Sequence, residues 1–454
     1  MHLNPCYSKV LMESPTMMRN MSLQKYRNLL DEIDTLERTG KVTQVIGMTI
    51  EAQGPSVELG EVCHIFNLKQ TDCIKAEVVG FRENRVLLMP LGDMQGIGPG
   101  SFVVATHQCL TVPVGESLVG RILDGLGQPM DGKGPIIDTA QVPTQNNPPN
   151  PLMRKRISEP ITLGIKAIDG LLTCGIGQRM GIFAGSGVGK STLLGMIARN
   201  TNADINVIAL IGERGREVRE FIEKDLTEEG LKRSVLVVVT SDQPALIRVK
   251  GAMVATAIAE YFRDQGYNTL LMMDSLTRFA MAQREIGMAI GEPPVARGYT
   301  PSVFAMLPKL LERAGNSDKG SITGLYTVLV DGDDFNEPIS DTVRGILDGH
   351  IILSRKLANQ NHYPAIDVLA SVSRVMPDLV DKEQMQLAGK IKSLLAAYNE
   401  ARDLINIGAY NKGSDPLIDE AIDKMPAINE FLQQAVGEKI DYETTLKFMQ
   451  EILK

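Results

Sequence analysis

The chain has 454 residues, 43% apolar and 22% charged, which is ample for several domains with large cores; its 42 glycines and 23 prolines follow no period, excluding collagenous and wholly disordered readings. A formal charge of −8 argues against a chain whose main task is to coat nucleic acid. No apolar run approaches the roughly 18 residues of a membrane span, the first thirty residues show no secretory signal, and five scattered cysteines without a CxxC suit a reducing cytosol.

In chain order, residues 1–20 mix several methionines with Pro5 and Pro15 and read as a ragged extension. From Ser22 to about Gly40, Leu23, Tyr26, Leu30 and Ile33 recur at three- and four-residue steps, predicting an amphipathic helix. Its apolar face either packs on its own domain or docks a partner. Short Val/Ile-rich stretches over 42–48, 56–59, 74–81, 85–89 and 101–105 predict a small antiparallel β-barrel or sandwich. Within it Cys63, His64, His107 and Cys109 have the chemistry of a zinc site, although isolated Cys and His in strands are more often packing residues. Residues 111–160 are rich in Gly and Pro, with a linker over 146–151, and part of them must wrap the next domain.

From about 160 to 360 apolar strands over 180–184, 206–211, 234–239, 269–273, 323–330 and 350–353 alternate with helical patterns such as 249–264. Continuous apolar runs of that length suit a parallel sheet covered on both faces, hence an α/β domain. After Pro377 strand signals stop, and helical patterns over about 380–404, 416–423 and 427–453 predict a helical C-terminal domain with an acidic balance. The expected division is 21–110, 111–376 and 377–454.

The sharpest signal is the run Gly185, Ser186, Gly187, Val188, Gly189, Lys190, Ser191, Thr192, between an apolar strand and a helical stretch. Its glycines let successive backbone N–H groups curl inward around an anion, and the following helix adds its positive end. Lys190 would reach the β- and γ-phosphates and the Ser191 hydroxyl would ligate Mg²⁺. Ala184 stands where the strict pattern has its first Gly. Asp274 ends the apolar strand over 270–274, at the sheet edge where ligands of α/β folds bind, and would hold Mg²⁺ through water. Glu213 sits just past another strand. The segment alone leaves it open between a solvated loop residue and a carboxylate that orients water.

The segments 185–192, 212–217 (GERGRE) and 364–373 (PAIDVLASVS) together resemble the α/β-subunit family of rotary ATPases. The stretches 274–287, 291–304 and 307–315 are similar to its type III export branch, and 331–338 with 341–350 resemble the flagellar more than the injectisome members. The resemblance covers roughly residues 25–454. It implies a RecA-like P-loop ATPase core between the small N-terminal β-barrel and the C-terminal helical domain. It also implies an ATP-hydrolysing motor subunit of a flagellar type III protein-export apparatus, using ATP and Mg²⁺.

Carried over residue by residue, the resemblance makes Glu213 the group that aligns and polarises water, with Arg214 holding that carboxylate. It puts Glu217 near the Mg²⁺ water shell, Arg278 near the γ-phosphate and Tyr363 against the adenine. Arg374 becomes an arginine finger reaching into a neighbouring subunit. The implied partners are a homo-hexamer, a stalk-like regulatory protein at the N-terminal helix, a central-stalk protein, export-gate membrane proteins and export chaperone–substrate complexes, with no nucleic acid. The implied location is cytoplasmic, peripheral at the inner face of the membrane export gate. The alternatives are an injectisome ATPase or a catalytic β-type synthase subunit. A non-catalytic rotary subunit would often lack the Glu213 carboxylate. An RNA helicase would want more barrel aromatics than Phe66, Phe81 and Phe102.

Overall fold

The computed structural model describes residues 39–330 and 334–454. The N-terminal extension and the helix expected over 22–40 lie outside the described residues, save its last two positions, which are strand.

Six strands close an antiparallel barrel: β1 (Thr39–Ile46), β2 (Thr49–Gln53), β3 (Glu61–Phe66), β4 (Cys73–Arg82), β5 (Arg85–Pro90) and β6 (Phe102–Cys109), in the order β1-β2-β5-β4-β3-β6. Alternate residues, among them Val42, Ile50, Cys63, Ile65, Val78, Leu88 and Val103, point inward and form its core. The strand expected over 56–59 is instead a loop that follows Pro55, and β2 and β3 escaped the sequence pattern. Buried polar residues hid their period: Thr49, Glu51 and Glu61 are each almost inaccessible. Glu51 is compensated by Arg85 at 2.8 Å and Arg82 at 3.6 Å, and Glu61 accepts from the His107 backbone N–H at 2.8 Å.

The zinc reading fails here. Cys63 packs in the barrel core, Cys109 is exposed at the rim and His107 stands beside Glu61. Among the described residues no group of three or more Cys, His, Asp or Glu is poised for a metal.

Beyond the barrel, β7 (Thr111–Val114) pairs with β9 (Ala140–Pro143), and β8 (Ile122–Leu123), lying between them in sequence, joins the central sheet; β10 (Pro160–Ile161) pairs with β11 (Cys174–Gly175). The rest of that sheet comprises β12 (Arg179–Ala184), β13 (Ile205–Glu213), β14 (Ser234–Thr240), β15 (Asn268–Asp274), β16 (Gly315–Asn316), β17 (Ser321–Leu329), β18 (Gly349–Leu353) and β19 (Ile366–Ser373). Its main order is β19-β18-β12-β17-β15-β13-β14-β8, with β16 folding back on β17. From β8 to β18 the main-order neighbours run parallel. The six strands expected in the sheet do run parallel; at its edge β19, which the apolar runs did not mark, runs antiparallel to β18.

Successive residues of one strand feed two cores. Val207, Ala209 and Ile211 join the helices Ala245–Asp264 and Leu276–Ile290 on one face, while Ile208 and Leu210 join the helix Lys190–Asn200 on the other. This double burial is why these strands read as unbroken apolar runs.

The C-terminal helices are Lys382–Asn406, Pro416–Leu432 and Tyr442–Leu453. The pattern expected over 427–453 is broken at 433–441, and the helix expected to end at 423 continues through Pro426. The apolar face formed by Ala421, Met425, Ile428 and Phe431 outweighs the hydrogen bond that proline removes. Buried ion pairs tie the parts together. Lys250 meets Glu77 of the barrel at 2.5 Å, and Arg313 grips Glu260 through two bonds of 2.8 and 2.7 Å. No helix among the described residues is long and apolar enough to cross a membrane.

Candidate active site

The carboxyl edge of the central sheet opens into a cleft of about 690 Å³. Each wall comes from the end of a strand. β12 runs into the loop 185–189 and the helix Lys190–Asn200, β13 ends in Glu213, and the turn before β19 brings Tyr363 and Pro364; Asp274, at the end of β15, is buried behind Lys190. A buried parallel sheet leaves its chemistry-bearing residues no other exit than this edge.

The loop takes its shape from glycine. Gly187 and Gly189 have φ of +76° and +85°, and a Cβ on Gly189 would lie 3.3 Å from the Tyr363 ring. Gly185, Ser186, Gly187, Gly189, Lys190, Ser191 and Thr192 all line the cleft. Val188 turns its side chain into the core under the sheet, so it offers the cleft only backbone. The following eleven-residue helix points its amino end at the loop, adding positive potential where an anion would sit.

Lys190 Nζ pairs with Asp274 Oδ1 and stands 3.6 Å from Glu213 Oε1. Thr327 Oγ1 donates to Asp274 Oδ1 at 2.8 Å, which fixes the carboxylate. Burial works against the Lys190 charge, yet Asp274 and Glu213 hold its pKa above the ordinary lysine value. Gly212, with φ of +72°, sits at a slip in the β13–β14 register and turns Glu213 toward the cleft. Burial, the Asp274 charge and a hydrogen bond to Glu217 push the Glu213 carboxyl up to about 7, against the pull of Lys190.

Arg214 departs from its expected role. Its guanidinium pairs with Glu217 at 3.1 Å rather than with Glu213, and its side chain is 75% exposed. It caps the short helix Gly215–Glu220 from outside, with an extended backbone that carries the side chain outward and leaves Lys190 as the cation beside Glu213. Arg278, in the first turn of the helix that Ser275 caps, lines the cleft. Its Nε is buried without a hydrogen-bond partner, and its Nη1 lies 3.9 Å from Met281 Sδ.

Arg374 is not brought into this cleft. Ser373 pairs with Gly349 at the amino end of β18, whereas Ala184, which leads into the phosphate loop, pairs with Leu353 at the other end. The antiparallel run of β19 therefore puts Tyr363 at the cleft and Arg374, exposed and bonded to the Arg344 carbonyl at 3.3 Å, on the opposite edge.

Sequence reasoning missed Leu193, Met196, Leu329 and Val436, which give the cleft its apolar lining, and Gln434. Gln434 is a buried clamp. Its backbone N–H donates to the Tyr363 carbonyl at 3.0 Å and its Oε1 accepts from the Lys166 N–H at 2.9 Å. It lies in the irregular stretch after the helix Pro416–Leu432, where no local pattern marks it.

A divalent cation suits this donor set. Glu213 and Asp274 share Lys190 between them, and burial first, then the Asp274 charge, raises the Glu213 pKa, so a further cation beside the pair would be favourable. Ser191 is exposed in the same wall. With no three-carboxylate cage, the residues fit a metal held chiefly by water and phosphate oxygens, as Mg²⁺ prefers.

Residues 164–373 match the ATP synthase alpha/beta family, nucleotide-binding domain; residues 42–107 match the β-barrel domain of the same family, and residues 380–451 match the T3SS EscN ATPase C-terminal domain. A flagellum-specific ATP synthase of Bacillus subtilis (strain 168) is 57% identical over 419 residues, 92% of this chain and 96% of that protein. A type 3 secretion system ATPase of Xanthomonas euvesicatoria is 54% identical over 415 residues, 91% of this chain and 94% of that protein. Among solved structures, the assembled ATPase EscN from the enteropathogenic E. coli type III secretion system superposes with a TM-score of 0.86 at 48% identity, covering 91% of this chain and all of that one. The same ATPase in complex with its central stalk EscO gives a TM-score of 0.85.

Proposed function

The chain belongs to the ATP synthase alpha/beta family, in its type III secretion branch, and is a P-loop ATPase; on that premise we propose that it hydrolyses Mg-ATP in a homo-hexameric ring and drives the export of flagellar proteins. The observation that carries the reading is the convergence of the phosphate loop, Lys190, Glu213 and Asp274 at one sheet edge. The flagellar assignment draws on the Bacillus subtilis relative and others of the same name.

In this mechanism the loop N–H groups and Lys190 hold the phosphates, and Lys190 leaves Asp274 for them as they enter. Ser191, Asp274 and Glu217 would hold Mg²⁺, which would offset charge on the phosphates. Glu213 accepts a hydrogen bond from the attacking water and aligns it. Arg278 brings its unpaired guanidinium edge to the γ-phosphate, and Tyr363 stacks on the base. Arg214 acts one step removed, by holding Glu217. Arg374 serves the neighbouring subunit. The central stalk would enter the ring, a stalk-like regulator would bind residues 22–40, and the ring would work in the cytoplasm beneath the membrane export gate. There it would meet gate proteins and chaperone–substrate complexes.

The test is genetic and biochemical together. A strain lacking the gene should lose flagellar protein export, regain it with the wild-type gene and fail with Lys190→Ala. Purified Lys190→Ala should still fold, by far-UV circular dichroism, with a lowered melting temperature because Asp274 loses its buried partner, and should lose ATP turnover. Intact flagellar export in the deletion strain, with loss of needle-type secretion, would move the assignment to the injectisome branch.

A further inference from the structure

Behind the adenine wall lies a second cavity, of about 230 Å³, between β19 with the helix Arg355–Asn359 on one side and the helices Lys382–Asn406 and Pro416–Leu432 on the other. We infer that it binds a small organic anion, a carboxylate or phosphate head on an apolar body, and that its occupant changes the protein's affinity for ATP.

Three observations carry this. The first is charge. Arg402 and Lys356 stand in the wall, and neither takes an ion-pair partner among the described residues. The second is an unpaired buried ring nitrogen. His362 is 7% exposed; Gln433 Nε2 lies 3.4 Å from its Nδ1, and its buried Nε2 has no hydrogen-bond partner. Burial lowers the His362 pKa, so the ring meets a ligand without a charge of its own. The third is shape. Leu357, Val368, Leu395 and Leu432 give the cavity an apolar side, and about 150 Å³ is enough for a benzene-sized body, leaving room for one charged head. One carboxylate stands against the two cations: Asp367, whose Oδ1 is already engaged by the backbone N–H groups of Leu369 and Ala370 at 3.1 and 3.0 Å.

The link to ATP is covalent and short. His362 precedes Tyr363, and Gln433 precedes Gln434. One member of each pair faces this cavity's contacts, and the other belongs to the cleft, where the Gln434 N–H holds the Tyr363 carbonyl. A ligand that draws His362 and Arg402 together moves both sides of the adenine wall. This coupling rests on the reading of Tyr363 as that wall; the binding itself does not.

The binding experiment uses the full chain with Lys190→Ala, which removes phosphate binding at the loop. Titration with phenyl phosphate and with benzoate should show saturable binding by at least one, with phenol as the neutral control showing none. Arg402→Gln should weaken the binding at least tenfold; Lys356→Gln, on an exposed residue, carries the same test if Arg402→Gln lowers the melting temperature. Equal binding by phenol, no saturation at millimolar concentration, or binding untouched by the charge-removing variants overturns the site. In the wild-type background the anion should shift KM for ATP, and Arg402→Gln should abolish the shift. Binding with no shift in KM overturns the regulatory part. If Tyr363→Ala also leaves KM unchanged, the fault lies with the adenine assignment instead.

Discussion

The placement of Arg374 can be tested by a difference of several powers of ten. From Gly349, beside Ser373, to Leu353, beside Ala184, is four residues of β18, or about 13 Å at ~3.3 Å per residue. Acting within its own subunit from that distance, the Arg374 charge would stabilise a phosphoryl group by roughly 0.3 kcal/mol in water and about 1.3 kcal/mol at an effective dielectric of ~20, less than tenfold in rate. An arginine in contact with the transferring group is worth about 10³–10⁵ in kcat. Arg374→Ala should therefore cost at least ~10³ if it serves a neighbour's site, and under tenfold if it acts in its own. The assay mixes two inactive proteins, Arg374→Ala and Glu213→Gln. With random assembly, about a quarter of the interfaces join an intact Glu213 to an intact Arg374, so mixing should restore part of the turnover and dilution below ring assembly should remove it. A mixture that stays inactive while sedimentation shows mixed rings would refute the reasoning. So would a specific activity that stays constant down to the monomer.

Glu213→Gln should bind Mg-ATP and lose about 10²–10⁴ in kcat, checked by single-turnover rates; weakened binding with kcat intact would make Glu213 a binding residue instead. The wild-type kcat/KM should rise through about pH 7 as the Glu213 carboxyl loses its proton. The stability of the nucleotide-free protein should move the other way. An acid whose folded pKa is raised binds more protons folded than unfolded between its ordinary value and about 7, so stability falls as pH rises across that window, by up to roughly 3 kcal/mol. Glu213→Gln should lack that slope in melting experiments, and an identical slope would discard the assignment. Tyr363→Ala should raise KM for ATP by the roughly 1–3 kcal/mol of a lost base stack while leaving kcat within a few-fold; a kcat effect alone would remove it from the adenine wall. Arg313→Ala should destabilise the protein by about 3–5 kcal/mol in denaturant titration, because it strands the buried Glu260 carboxylate; Arg313→Met with Glu260→Leu should recover most of that loss.

What could be read in the sequence was what a short segment decides by itself. The phosphate loop needs only its own glycines and the strand and helix that flank it. Asp274 needs only an apolar run that stops. The strands of the central sheet were visible because both faces are buried, as Val207 and Ile208 on opposite cores show. Where polar residues take buried places, as Glu51 and Glu61 do in the barrel, the pattern vanished, because their partners Arg85 and His107 are 34 and 46 residues away. Arg214 failed for a related reason. The resemblance put its charge on Glu213, but the extended backbone at that position aims adjacent side chains apart.

The same limit governs the most consequential strand. Nothing local to residues 364–373 says whether β19 runs with or against its neighbour, and that direction alone decides which end meets the subunit's own cleft. Because it runs antiparallel, one strand, bulged between Asp367 and Val372, separates Tyr363 at the cleft from Arg374 at the far edge. Any coupling from the Tyr363 end to Arg374 runs through that bulge, where Asp367 Oδ1 accepts the N–H groups of Leu369 and Ala370. If Arg374 serves the neighbour, successive sites in a ring are coupled through a single strand, with no need for a longer path through the core.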